Sequence, residues 1–97
     1  MTADAATDMV GPVLEASPAG RAVVAAIRRL NREVTVQDRG AYLRVLVPRC
    51  CLVTREAIEL ELSQPFRVPL DLEPLMPAFK GLLRMDADSV EWRLESR

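Results

Sequence analysis

The spacing of hydrophobic residues changes several times along this chain, and each change predicts an element. Residues 1 to 8 are small and polar and read as a mobile tail. Val10, Val13 and Leu14 then fit a short strand interrupted by Gly11-Pro12. A proline removes a ladder donor, so this strand is expected at a sheet edge or at a strand start. The stretch SPAGRAVVAAIRRLNR follows with a helical period. Ser17 suits the N-cap and Pro18 the first helical position. At ~100° per residue, Ala19, Ala22, Val23, Ala26, Ile27 and Leu30 form an apolar stripe roughly 140° wide, with Arg21, Arg28 and Arg32 opposite it.

Alternation takes over in EVTVQDRGAYLRVLV. Val34 and Val36 share a face, Asp38-Arg39-Gly40 turns the chain, and Ala41, Leu43, Val45 and Val47 alternate with Tyr42, Arg44 and Leu46. That is the pattern of a half-buried hairpin. CLVT carries strand character on to Thr54. TREAIELELSQPF supports two assignments, because Ile58, Leu60 and Leu62 alternate like a strand while Thr54 suits an N-cap with glutamate in the first turn. Its Glu and Ala residues favour helix over strand, and a short helix is expected. Four of the seven prolines, at 65, 69, 74 and 77, exclude a continuous helix in the segment that follows. LLRMDADSVEWRL closes the chain as a second hairpin, with Val90, Trp92 and Leu94 inward and a turn from Asp86 to Ser89. This order predicts an α+β fold: one small domain over residues 9–97, an antiparallel sheet of hairpins with two helices packed against it.

Composition narrows what such a domain does. A chain of 97 residues holds one small core and no deep cavity of its own. Hydrophobic residues make up 49% and aromatic ones only 4%, so Val, Leu, Ile and Ala must build that core. Thirteen basic against fourteen acidic residues leave a net charge of −1, which gives no field to attract nucleic acid or an anionic membrane. The N-terminus has neither a basic n-region nor an apolar h-region, and no stretch reaches the ~20 apolar residues of a membrane span, so a cytoplasmic protein is expected. Histidine is absent, which removes the usual general base and a common metal ligand. The only cysteines, Cys50 and Cys51, are adjacent and cannot close a stabilising loop. They read either as small apolar groups at a strand end or as a reactive thiol pair. Glu56, Glu59 and Glu61 are spaced like a solvated face, and the four glycines are too scattered for a phosphate loop.

Four pieces in order, EVTVQDRGAYLRV, LVTREAIELELSQPF, an apolar loop ending AFKG, and DADSVEWRL, carry a family resemblance from about residue 9 to residue 95. The chain resembles the small effector, coupling or regulatory proteins of bacterial multicomponent diiron monooxygenases (the MmoB/DmpM type), and among them the toluene monooxygenase branch, which begins with a short VGP element like Val10-Gly11-Pro12. Arg49, Cys50 and Cys51, and the proline-rich loop from Val68 to Pro77, depart from that pattern. The resemblance implies a protein without metal, organic cofactor or chemistry of its own, a monomer when free. Its partner is the hydroxylase of a system that also contains a ferredoxin and a reductase. It docks above the hydroxylase's carboxylate-bridged diiron centre, shifts helices that line the active site, and tunes oxygen activation, substrate access and coupling. Such a ligand acts by binding one hydroxylase conformation better than another, with couplings typically of ~1–3 kcal/mol. The oxidised substrate, an arene or a small alkene, is not specified.

The expected docking residues are Leu75, Met76, Pro77, Phe79 and Lys80, with Val10, Gly11 and Pro12 and the hairpin residues Arg39, Tyr42 and Arg44 beside them. The apolar run 75–79 either caps the core or forms a pre-ordered docking loop. Asp38 and Arg39 fix the turn, or Arg39, Tyr42 and Arg44 contact the partner, since Arg and Tyr are enriched at hot spots. Arg21, Arg28 and Arg32 form either a solvated helix face or a patch for an acidic partner. Rival classes are a stand-alone enzyme with a cofactor-free pocket, a nucleic-acid adaptor using those three arginines, and a small protein-interaction or ligand-binding adaptor domain unrelated to oxygenases. Absent histidine opposes the first; net charge and the scarcity of stacking aromatics oppose the second.

Overall fold

The structure, a computed structural model, describes residues 8–95. All of the expected tail except Asp8 lies outside the described residues. Seven strands and two helices follow in the order β1 (Met9–Glu15), α1 (Pro18–Leu30), β2 (Thr35–Asp38), β3 (Tyr42–Pro48), β4 (Cys50–Thr54), α2 (Arg55–Leu62), β5 (Ala78–Lys80), β6 (Leu82–Met85) and β7 (Ser89–Arg93). A single 3-10 turn, Glu73–Leu75, interrupts the proline-rich loop before β5.

Both helices begin as their sequences dictate. The Ser17 hydroxyl accepts the Gly20 N–H at 3.1 Å with Pro18 behind it, and Thr54 Oγ1 accepts the Ala57 N–H at 3.1 Å. These bonds satisfy donors that a helix start leaves orphaned. Along α1 the buried face is Ala22, Val23, Val24, Ala26 and Ile27, so the stripe is rotated towards Val24 and Leu30 is exposed. The first hairpin forms as expected, with Asp38 opposite Leu43 and Val36 opposite Val45. Its turn is closed by Arg39 N–H to the Tyr42 carbonyl and by Gly40 N–H to Asp38 Oδ1, both 2.8 Å, with Gly40 at φ +82°.

Instead of one sheet there are two antiparallel sheets, ordered β2-β3-β1-β5 and β4-β7-β6. The strand expected to run on to Thr54 breaks at Arg49, which takes φ +66° and sends the chain from one sheet to the other. Its N–H bonds the Asp8 carbonyl and its carbonyl accepts the Leu94 N–H, both at 2.8 Å, so the corner ties the two sheets together. The inward residues of both sheets, including Val10, Leu14, Val45, Cys51, Val53, Val90 and Trp92, pack with α1 and α2 into one core.

The expectation that Val10-Gly11-Pro12 lies at a sheet edge is overturned. β1 lies inside its sheet, between β3 and β5, and all three residues are buried. Pairing with β3 passes from Val10–Val47 to Val13–Arg44, with Gly11 and Pro12 unpaired between them. Pro12 lies in that gap on the β3 side and stands opposite Phe79 on the β5 side. Gly11 has φ +145°, and a Cβ there would run into the Val45 carbonyl oxygen. The glycine therefore lets an interior strand carry a proline.

Candidate docking surface

Strand alternation and register decide which expected residues can meet a partner. On β3, Leu43, Val45 and Val47 are buried, so Tyr42, Arg44 and Leu46 point to the opposite face. Arg44 stands opposite Gln37 of β2 and Val13 of β1, and Val13 stands opposite Ala78 of β5. These four form a row across all four strands. Tyr42 pairs with Glu15 and Lys80 with Gly11 on the same face. None of the side chains on this face is buried, because α1 packs against β1 on the other side of the sheet. The result is an open surface of aliphatic residues (Val13, Leu46, Ala78) bordered by Tyr42, Arg44 and Lys80.

The other expected residues separate. Phe79 lies opposite the buried Pro12, so its ring points to the core side of the sheet, yet it is 44% exposed because β5 is an edge strand. Leu75 and Met76 are partly buried and pack against the core, whereas Pro77 is exposed. The apolar run thus divides: 75–76 cap the core, and 77–80 form an exposed edge. Arg39 sits at the hairpin tip, where it donates to Gln37 Oε1 at 3.1 Å. Val10, Gly11 and Pro12 are buried, and Gly11 and Pro12 pair with Lys80 and Phe79 of β5. Val13 and Leu46 are absent from the sequence-derived set, and Ala78 enters it only as a member of the 75–79 run. The alternation of β3 marks Leu46 as outward, but Val13, and its place beside Ala78, become visible only once β1 is known to lie between β3 and β5.

Chemistry on the surface is sparse. Among the described residues no group of three or more His, Cys, Asp or Glu could hold a metal ion, and no helix is long and apolar enough to cross a membrane. The Cys50 thiol is exposed and donates to Glu91 Oε2 at 3.3 Å. Partial burial and the Glu91 carboxylate push it above the usual thiol range. Burial, with Cys50 beside it, pushes the Cys51 thiol up to about 12. Neither is a thiolate near neutral pH, so the reactive-pair reading loses its chemical basis. Asp86 accepts the N–H groups of Asp88 and Ser89 at 2.8 and 2.9 Å, which hold its carboxyl below the usual range and fix the second hairpin turn.

Comparisons with known proteins agree with this architecture. The chain is 35% identical over 91 residues, 92% of its own length and 89% of the relative's, to the effector subunit of the alkene monooxygenase system of Xanthobacter autotrophicus strain Py2. A chain in the structure of the phenol hydroxylase–regulatory protein complex superimposes with a TM-score of 0.80 at 18% identity, covering 90% of this chain and 99% of that one, which establishes the shared fold. The model of the MmoB/DmpM family matches residues 8–93, and the chain therefore belongs to the MmoB/DmpM family.

Proposed function

We propose that this protein is the effector component of a multicomponent aromatic or alkene monooxygenase. It binds the diiron hydroxylase and tunes its active-site conformation, oxygen activation and coupling, and it performs no chemistry itself. The observation that carries this reading is the end-to-end match to a protein that is an alkene monooxygenase effector subunit. The open sheet face fits the role. An interface needs aliphatic and aromatic area with a few well-placed charges, and Val13, Leu46, Ala78, Tyr42 and Arg44 provide that on a rigid sheet. Phe79 and Pro77 extend it around the β5 edge. The hydroxylase works with a ferredoxin and a reductase, and the free effector is a monomer. The test is reconstitution from purified components. The chain should co-elute with its hydroxylase and change the rate of product formation; a hydroxylase that neither binds the chain nor responds to it refutes the assignment.

A further inference from the structure

The sheet edges are finished differently. At β4 the Asn31 carboxamide, on the C-cap of α1, donates to the Leu52 carbonyl at 2.7 Å and accepts the Leu52 N–H at 3.0 Å. A side chain thus stands where another strand would pair. β2 ends the four-stranded sheet, and the side-chain bonds near it, Arg39 to Gln37 Oε1 and Gly40 N–H to Asp38 Oδ1, leave its backbone edge uncovered. Beside that edge α1 packs on β1 and β4 and leaves a groove of about 340 Å³ between helix and hairpin. Val24 and Ala25 form one wall, and Val36 and Leu43 the other.

The rim of the groove is charged. Arg21 and Arg28 line its helix side and Asp38 its strand side. Arg29, Arg55, Arg67 and Arg93 are each paired with a carboxylate. Among the described residues, neither Arg21 nor Arg28 has such a partner. An apolar slot beside an open strand edge, flanked by two unpaired guanidinium groups, matches the chemistry of strand addition, in which backbone bonds hold an extended segment and alternate side chains enter pockets.

We infer that the β2 edge and this groove receive an extended acidic segment of the hydroxylase. Its backbone pairs with Thr35–Asp38, apolar side chains on one face enter the slot, and carboxylates meet Arg21 and Arg28 on the side away from Asp38. This contact rests on the hydroxylase assignment above and is separate from the open sheet face.

Hydrogen exchange of the full chain, read by mass spectrometry with and without the purified hydroxylase of its system, tests it together with the affinity of Arg21→Glu/Arg28→Glu. Bound hydroxylase should slow exchange at Thr35–Asp38. The doubly reversed variant, melting like wild type, should bind about tenfold more weakly, while Arg21→Lys/Arg28→Lys stays close to wild type. If wild type binds but exchange at 35–38 is unchanged, or charge reversal leaves affinity unchanged, this inference fails and the effector assignment stands. If wild type does not bind at all, the effector assignment itself fails and this inference falls with it.

Discussion

At the residue scale, Trp92 illustrates what alternation can and cannot reveal. Its place between Val90 and Leu94 marks it as inward, and it is wholly buried, opposite Cys51 on one side and Leu83 on the other. The sequence could not disclose that its indole N–H has no hydrogen-bond partner among the described residues, since that depends on what three strands bring together. Trp92→Ala should cost ~3–5 kcal/mol in a denaturant melt. Trp92→Phe should cost distinctly less, because it loses less volume and removes an unpaired buried donor. Equal losses for the two variants would mean that packing around the ring does not govern the site. Cys51 carries a pH prediction. Its thiol is raised from 9.0 to about 12 in the folded chain, so above pH 9 the unfolded chain releases a proton that the folded chain keeps. Its contribution to stability is complete below pH 9 and is lost as pH rises towards 12. Cys51→Ala should flatten the alkaline fall in stability; parallel curves for variant and wild type would contradict the assignment.

At the scale of elements, the helices and both hairpins were legible because caps, turns and period are local signals. Ser17-Pro18, Thr54, Asp38-Arg39-Gly40 and Asp86 each determine an element within a few residues. The misplacement of β1 has a different cause. Proline argues for an edge only when a neighbouring strand needs its donor, and here the β3 pairing skips Gly11 and Pro12. That gap depends on strand order, which no local pattern contains. The break at Arg49 is similar, because nothing in PRCC announces a left-handed residue. If Gly11 lets β1 sit inside the sheet, Gly11→Ala should destabilise the protein by ~1–3 kcal/mol, through its positive φ and its collision with the Val45 carbonyl. A melt within about 0.5 kcal/mol of wild type, the range of an ordinary surface change, would show that the strands can part there freely.

On the scale of the whole molecule, the candidate surface was half visible. Tyr42, Arg44 and Lys80 follow from the hairpin and the apolar loop, whereas their assembly around Val13 and Ala78 requires β5 to pair with β1. The same pairing separates two neighbours that sequence grouped together. Phe79→Ala should leave the melting curve nearly unchanged and weaken hydroxylase binding by ~1–3 kcal/mol. Met76→Ala should do the reverse, lowering stability with little effect on the binding of the folded protein, because its side chain packs on the core. Isothermal titration beside thermal melts separates the two, and matching behaviour of the pair would return 75–79 to a single role.

Function and surface are tested together by one titration: product formed per reductant consumed by the reconstituted hydroxylase as wild-type chain or Arg44→Glu is added. Wild type should give a saturable rise and the variant a similar plateau reached only at about tenfold higher concentration, because the reversed charge weakens docking without altering the bound state. A hydroxylase whose yield is indifferent to the wild-type chain would contradict the function, and a variant titrating like wild type would contradict the surface.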